Sequence, residues 1–338
     1  MMSNMDANKS RSFEQNWFMG PIVRYFKNYL GILIAFFGLC IFLSIMSPNF
    51  MQLNNWLTIL RTVSTTGYLA IGIQLTIMLG GIDLIAGAII ACSGVLTVIT
   101  MERWGLPMVV AIIFGLGLGL LVGLVDGFII AYSGIHPFVV TLAMQSILRG
   151  AAYLLANGQP VPLYSNDVFP VIGTGLLFNI IPYPIIYLMI FFLLQYFLLN
   201  KTRTGRYIYA VGGNETAARF SGVNVKRIKI FVWAISGFLG GFAGVVLAAR
   251  LSSGQPSTSV GAETDAIAAS VIGGTSMYGG TGSTGGLIIG VLIMGIIQNG
   301  LTLMHLDTNW QYVVKGIIIL AAVYIDMIRR SKMSARKE

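Results

Sequence analysis

Long apolar runs follow one another along most of this 338-residue chain. Only 10% of its residues are charged, whereas a soluble domain carries about 25% charged residues to solvate its surface. Disorder is excluded as well, because 56% of the residues are hydrophobic. Since a membrane-crossing helix needs about 20 mostly apolar residues, the sequence predicts an all-α, polytopic membrane protein with about ten transmembrane helices, some short or broken. The candidate spans are residues 29–46, 62–79, 84–100, 107–131, 138–156, 181–199, 230–249, 266–280, 286–304 and 312–328.

The basic residues are concentrated in three segments. The chain carries 21 Lys and Arg against 12 Asp and Glu, and 16 of the 21 lie within residues 1–28, 201–229 or 329–338. Basic residues grouped beside apolar spans are typical of cytoplasmic segments. We therefore expect a cytoplasmic N-terminal tail (1–28), a transmembrane domain (29–328) with a cytoplasmic loop (201–229), and a cytoplasmic basic tail (329–338). The net charge of +9 then reflects the basic residues of these cytoplasmic segments, and no nucleic-acid partner is expected.

Glycines recur at helical spacing in the spans 107–131 and 230–249, so each set falls on one helical face. The backbone of a neighbouring helix can approach such a face closely. We expect packing seams there in place of ligand sites. The glycines are Gly115, Gly119, Gly123 and Gly127 in the first span and Gly237, Gly240, Gly241 and Gly244 in the second.

Motifs of nucleotide and metal chemistry are absent or stand in the wrong context. No G-x-x-x-x-G-K-[ST] occurs, so this chain is not expected to hold ATP itself. A G-x-G-x-x-G at Gly280, Gly282 and Gly285 precedes an apolar run of membrane length instead of a βαβ unit, which favours a glycine-rich break between two helices. The two histidines and two cysteines lie apart from one another. The sequence predicts no enzyme activity, no cofactor and no metal site.

Four charged residues lie inside the predicted spans, where a charge at mid-membrane costs about 3 kcal/mol. They are Asp126, Arg149, Lys315 and Asp326. Asp326 is expected to pair with the basic residues one helical turn further on. Asp126 and Lys315 lie near span ends, so their side chains are expected to reach water. Arg149 lies about 16 Å from the inner end of its span and needs either a wet cavity or a buried partner.

Polar side chains accompany Arg149 along one stripe of its span. In an apolar bundle, hydroxyls, amides and one guanidinium can replace the water hydrogen bonds of a hydroxyl-rich neutral solute. The alternative, that these groups only join neighbouring helices by hydrogen bonds, is equally consistent with the sequence. The candidates for a solute path, here and in other spans, are Gln74, Asp83, Thr141, Gln145, Ser146, Arg149, Gln298 and Asn299.

The loop 201–229 contains signals for a short helix. Asn214 is a good N-cap, Glu215 suits the positive end of a helix, and Gly222 can end one. A capped helix in a basic loop indicates either a docking surface or an ordinary ordered loop.

Three stretches carry motifs of a known family. They are Gly80-Gly81-Ile82-Asp83-Leu84, then Lys201–Arg206 with Gly212–Glu215 and Ser221–Val225, and Asp265–Ala269 with Gly273–Ser276. They resemble the inner-membrane permeases of ATP-binding-cassette (ABC) importers for sugars of the ribose, galactose and xylose type. The end of the chain, Trp310-Gln311-Tyr312 before Lys315-Gly316, is similar to the galactose and methyl-galactoside branch.

This resemblance implies a permease in the bacterial plasma membrane, in contact with lipid, that pairs with a second copy of itself. It also implies an extracytoplasmic sugar-binding protein that delivers a monosaccharide and a cytoplasmic ATP-binding subunit that drives transport. The segment from Asn214 looks like the coupling helix of the family, with Glu215, Ala217, Ala218 and Gly222 matching its pattern.

Two acidic residues before the span 266–280 allow two interpretations. Glu263 and Asp265 either complement the N-terminus of the following helix or help to receive the binding protein.

An ion-coupled secondary transporter, with Asp83, Asp126 and Arg149 as a relay, is the competing functional hypothesis. The chain also departs from the family pattern in two places. Ile85-Ala86 replaces Ser-Val, and Asp126 replaces a common Asn. The resemblance therefore does not identify which sugar is transported.

Overall fold

The computed structural model describes residues 30–334, and most of these are helical, as predicted. In chain order the helices are α1 (Leu30–Met46), α2 (Leu53–Met78), α3 (Ala86–Glu102), α4 (Met108–Tyr132), α5 (Pro137–Ala156), α6 (Phe169–Thr174), α7 (Tyr183–Lys201), α8 (Arg203–Gly213), α9 (Glu215–Phe220), α10 (Val225–Leu251), α11 (Ala262–Ile272), α12 (Thr284–Leu303) and α13 (Thr308–Ser334). The predicted tail 1–28 lies outside the described residues, as do the side chains of Asp326 and its expected basic partners.

Two short β-ladders shape one end of the bundle. Strand β1 (Val161–Pro162) pairs antiparallel with β4 (Ser253–Gly254), and β2 (Leu176–Leu177) pairs antiparallel with β3 (Ile181–Pro182). The first ladder ties the connection between α5 and α7 to the end of α10. We call the other end, where α7 ends and α10 begins, the basic end, because it carries the segment 201–229.

The helices match most of the predicted spans, with instructive differences. Within the described residues, α4, α5, α7, α10 and α12 are long and apolar enough to cross a membrane, while α1 and α3 are apolar but shorter. Helix α2 begins at Leu53 instead of residue 62, because its first half is too polar to stand out as an apolar run. The span predicted at 266–280 is wrong in extent, since α11 has only 11 residues. The glycine-rich residues 273–283 that follow it are a break between two helices, which begins earlier than the break predicted at Gly280, Gly282 and Gly285.

Helix α2 lies at the centre of the bundle and packs against α7, α10, α11 and α12. Its residues from Gly67 to Met78 are all buried. Large apolar side chains on α4, α5, α7 and α13 instead face outward, such as Leu121, Leu154 and Leu193. This inversion of the usual surface composition fits a multi-pass protein whose solvent is the bilayer.

The predicted glycine seams meet each other. Helices α4 and α10 pack along the two sets of glycines, and a β-carbon on Gly119 would lie 2.7 Å from the Cα of Gly241. A β-carbon on Gly123 would lie 3.0 Å from the Cα of Gly237. Since any side chain at these positions would push the backbones apart, the close contact of α4 and α10 depends on glycine.

We predict that Gly119→Leu destabilises the permease and that Gly117→Leu does not. Overpacking a close contact typically costs about 1–3 kcal/mol, and Gly119 has no room for a side chain. Gly117 lies on the same helix, and a β-carbon placed on it would have no atom within 4 Å, so it controls for the change in hydrophobicity. The measurement is the thermal unfolding midpoint of each variant purified in detergent. Equal midpoints for the two variants would contradict the seam.

Candidate functional sites: a polar cavity and a basic segment

A polar cavity of about 390 Å³ lies between α2, α12, α13 and the chain that leads into α11. On α2 its wall is formed by threonines whose spacing of four and three residues places them on one helical face. The lining residues are Thr58, Thr62, Thr65, Thr66, Leu247, Arg250, Ser259, Val260, Ala262, Asp265, Gln298, Asn299, Thr302, Gln311 and Lys315.

A buried ion pair crosses one wall of this cavity. Asp265 on α11 is only 6% exposed, and its Oδ2 accepts hydrogen bonds from Lys315 Nζ at 2.9 Å and from Gln298 Nε2 at 2.6 Å. Three helices are thereby joined at one carboxylate oxygen. Lys315, which is expected to extend to water, keeps 18% of its side-chain surface exposed at the cavity, and its ammonium group compensates the buried charge of Asp265.

Asparagines join the cavity wall to α2. Asn299 and Asn55 exchange side-chain hydrogen bonds of 2.7 and 3.0 Å, which fixes α12 against the start of α2. Gln298 and Asn299, two of the candidates for a solute path, therefore line the cavity. Their part in transport stays a prediction.

Arg149 lies away from the cavity lining and binds backbone. Its Nη1 donates to the carbonyl oxygens of Pro256 at 3.0 Å and Thr258 at 2.7 Å. The residues between β4 and α11 are not helical, so their carbonyl groups lack helical partners. Arg149 thus has a buried partner, one of the two environments expected for it, and it holds the chain next to the cavity residues Ser259 and Val260.

The rest of the polar stripe on α5 has similar contacts. Gln145 Nε2 donates to Glu263 Oε1 at 3.1 Å, and Thr141 Oγ1 donates to the carbonyl oxygen of Ile82 at 3.0 Å. Ser146 Oγ donates to the carbonyl oxygen of Leu142 at 3.3 Å within its own helix. These bonds fit the interpretation that the stripe joins neighbouring elements.

Two more of the path candidates are buried away from the cavity lining. Asp83 is 1% exposed, and its carboxylate accepts hydrogen bonds from the backbone N–H of Ile85 at 3.1 Å and from Ser236 Oγ at 2.6 Å. It thereby organises the turn before α3. Gln74 is fully buried and donates to Thr275 Oγ1 at 2.7 Å.

Asp126 is buried on α4, so the expectation that it reaches water is wrong. Neither carboxylate oxygen has a hydrogen-bond partner among the residues that the structure describes. Asp126 precedes Gly127, one of the glycines through which α4 packs against α10.

Glu263 and Asp265 both lie in the first turn of α11 and are buried. Their acidic groups are therefore positioned to complement the N-terminus of that helix, one of the two expected interpretations. Docking of a protein partner would need exposed side chains, and the carboxylates instead bind Gln145, Gln298 and Lys315 within the chain.

The basic segment folds as its signals predict. Asn214 Oδ1 accepts a hydrogen bond from the backbone N–H of Ala217 at 2.9 Å and caps α9. The helix ends before Gly222, whose φ of 84° is accessible to glycine with little strain. Ala218 is buried against the neighbouring Val211 and Val225. The same signals do not predict helix α8, which precedes the cap.

Glu215 anchors α9 to its surroundings. Its carboxylate pairs with Arg219 at 2.9 Å and with Lys229 at 2.8 Å. Partial burial raises the pKa of Glu215, but the hydrogen bonds and charges of Lys229 and Arg219 lower it. The second effect is larger, so the pKa lies below its ordinary value. Phe220, at the end of the same helix, is 87% exposed.

Sequence reasoning missed most of the cavity. Thr58, Thr62 and Thr65 share a face of α2, and their helical spacing is the signal by which they can be found. The span predicted at 62–79 begins too late in the chain to include the start of this face. No group of three or more His, Cys, Asp or Glu residues in the described part of the chain could hold a metal ion.

Comparisons with known proteins identify the family of the chain. Residues 55–323 match the family described as "Branched-chain amino acid transport system / permease component". The ribose import permease protein RbsC of Escherichia coli K12 is 41% identical over 330 residues, which cover 96% of this chain and 99% of that protein. RbsC of Bacillus subtilis is 42% identical over 88% of this chain and 92% of its own length. The L-arabinose ABC transporter permease protein AraH of Azospirillum brasilense is 40% identical, covering 92% of this chain and 91% of that protein.

No solved structure gives a significant match. The family match and the relatives nevertheless extend over nearly all of the helical bundle, including the cavity and the basic segment. The chain therefore belongs to this family of transport-system permeases and is similar along its length to the permeases of ABC sugar importers.

Proposed function

We propose that this chain is the membrane permease of a bacterial importer that moves a monosaccharide inward through the polar cavity. A separate ATP-binding subunit drives the movement from the cytoplasm, and an extracytoplasmic sugar-binding protein delivers the sugar. The basic end faces the cytoplasm, in line with the positive-inside rule. Two copies of the chain form the membrane part of the complex. The relatives that import ribose and arabinose support this substrate class.

The cavity is the observation that carries this proposal. Its volume of about 390 Å³ falls in the range of small-molecule sites. The hydroxyl groups of Thr62 and Thr65 line it and make no hydrogen bonds to other described residues. Together with the amides of Gln298 and Asn299 they offer donors and acceptors to the hydroxyl groups of a sugar.

The capped helix α9 is suited to be the contact for the ATP-binding subunit. Its position is fixed by the Asn214 cap and by the ion pairs of Glu215, so a force on α9 moves the adjoining helices. Exposed aromatic side chains are frequent anchors of protein interfaces, and Phe220 is presented at the end of this helix. We infer that Glu215 orients α9 and that Phe220 is the anchor.

Uptake by the complete complex tests the proposed function. The permease is reconstituted in proteoliposomes with its ATP-binding and sugar-binding subunits, and ATP is supplied on the side of the membrane that carries the ATP-binding subunit. Uptake of labelled ribose, arabinose, xylose, allose and galactose is then measured. We expect uptake of at least one sugar, lost with a hydrolysis-deficient ATP-binding subunit. Uptake that persists with that subunit, or that collapses with a protonophore at constant ATP, would instead indicate an ion-coupled transporter.

We predict that Thr62→Val slows sugar uptake by the reconstituted complex by about 2- to 10-fold, the equivalent of one lost hydrogen bond. The substitution removes a cavity hydroxyl and keeps the side-chain shape. Thr100→Val is the matched control, because Thr100 is buried on α3 and donates to the carbonyl oxygen of Leu96 at 2.7 Å. An equal effect of both substitutions would show that Thr62 has no special part in transport.

A second prediction concerns the ATP-binding subunit. Phe220→Asp should abolish its copurification with the permease, because a charge replaces the proposed apolar anchor. Glu215→Arg should weaken copurification by breaking both ion pairs of α9. Phe178→Asp is the control, since Phe178 is 82% exposed in the connection between β2 and β3 at the other end of the bundle. Full copurification with Phe220→Asp would refute the anchor.

A further inference from the structure

The glycine-rich segment 273–283, between α11 and α12, contacts the basic end of the bundle directly. Tyr209 on α8 donates from its hydroxyl group to the carbonyl oxygen of Gly282 at 2.8 Å. The backbone N–H of Gly280 donates to the carbonyl oxygen of Met78, the last residue of α2, at 2.9 Å. Segment 273–283 is therefore bonded to α8 and α2 at once.

Backbone packing leaves little slack in this contact. A β-carbon on Gly280 would lie 2.8 Å from the Cα of Gly213, and one on Gly279 would lie 2.8 Å from the carbonyl oxygen of Gly212. Gly213 ends α8, and the next residue is the cap of α9. A displacement of α9 is thus passed to segment 273–283 by backbone contact, without flexible side chains between them.

The two helices that flank this segment pack closely against each other. A β-carbon on Gly273 would lie 2.6 Å from the carbonyl oxygen of Gly286, and one on Gly290 would lie 2.9 Å from the backbone nitrogen of Gly273. At their far ends, Gln298 on α12 donates to Asp265 on α11 at 2.6 Å. Close packing at one end and a hydrogen bond at the other make α11 and α12 a stiff unit.

This stiff unit ends in the cavity wall. From Thr284 to Gln298 the rise along α12 is about 21 Å, and Gln298, Asn299 and Asp265 all line the cavity. The segment 273–283 therefore lies at one end of the α11–α12 unit, and the cavity residues lie at its other end.

A buried network of amide side chains binds segment 273–283 to the neighbouring helices. Gln195 on α7 donates to Gln74 Oε1 at 2.7 Å, and Gln74 donates to Thr275 in the segment. In the described part of the chain, Gln195 Oε1 and Thr284 Oγ1 are buried without hydrogen-bond partners. Spare polar atoms in a buried network give the segment alternative partners when it shifts.

We propose that segment 273–283 relays motion from α9 to the cavity and that Tyr209 is the positioning residue that couples the two. The inference rests on the proposed function and adds to it the route by which the ATP-binding subunit reaches the solute. Tyr209 lies outside the cavity lining. Its hydroxyl group makes α8 and segment 273–283 move together, through the hydrogen bond to Gly282.

The test compares Tyr209→Phe with Tyr207→Phe in the complete reconstituted complex, measuring sugar transported per ATP hydrolysed. Tyr209→Phe removes the bond to Gly282, so the ratio should fall about fivefold, the equivalent of one hydrogen bond, while copurification and ATP hydrolysis stay unchanged. Tyr207 lies on the same helix and is exposed, so its variant should keep the wild-type ratio.

Amide hydrogen exchange gives a second measurement. Addition of ATP should change exchange in both α9 and segment 273–283 of the wild type. The change in the segment should be smaller for Tyr209→Phe, in which only the backbone contact with α8 remains. An unchanged transport ratio in Tyr209→Phe would overturn the relay. Loss of assembly in that variant would also overturn it, because the bond would then only hold the fold. Absence of ATP-driven uptake by the wild type would refute the proposed function itself.

The backbone contact is tested separately by Gly280→Ala and Gly274→Ala. Both glycines have positive φ, 74° and 88°, so both substitutions carry a similar conformational cost. Only Gly280 lies against Gly213, whereas no atom is within 4 Å of a β-carbon on Gly274. We expect a lower transport ratio for Gly280→Ala than for Gly274→Ala, and equal ratios would contradict the relay.

Discussion

Backbone groups that leave regular helix inside an apolar bundle must still find hydrogen-bond partners, and this constraint organises the whole structure. The chain leaves helical geometry at residues 79–85 and again before α11. Thr141, Arg149 and the carboxylate of Asp83 bind the backbone of these breaks. Because Arg149 of α5 binds the carbonyl groups of the chain that leads into α11, this helix can begin inside the bundle with Asp265 at the cavity wall instead of crossing as a full-length helix.

Glycine packing provides the complementary rigidity. The α4–α10 seam holds one side of the bundle together, and a second close contact joins α11 to α12. Between the stiff α11–α12 pair and α2 lies the polar cavity, whose ion pair of Asp265 and Lys315 also ties in α13. Rigid helix pairs that share a polar wall can shift against one another as units, which suits a permease that must open a path in alternation.

Local signals in the sequence predict much of this arrangement. Apolar runs locate most helices, glycine spacing locates the α4–α10 seam, and Asn214 with Gly222 bounds α9, because each signal acts over one or two helical turns. The role of Arg149 and the burial of Asp126 depend on which helices pack together, which no single segment encodes. The threonine face of α2 escapes prediction because its polarity lowers the hydropathy by which a span is recognised.

In the proposed mechanism, sugar passes the cavity wall on α2 and not the polar stripe on α5. Thiol labelling of Thr65→Cys and Ser146→Cys tests it most directly, in a permease whose own cysteines are replaced by Cys40→Ala and Cys92→Ala. A transported sugar should slow the labelling of Thr65→Cys, which lines the cavity, and leave that of the exposed Ser146→Cys unchanged. Protection of Ser146→Cys with none at Thr65→Cys would contradict a sugar path along α2.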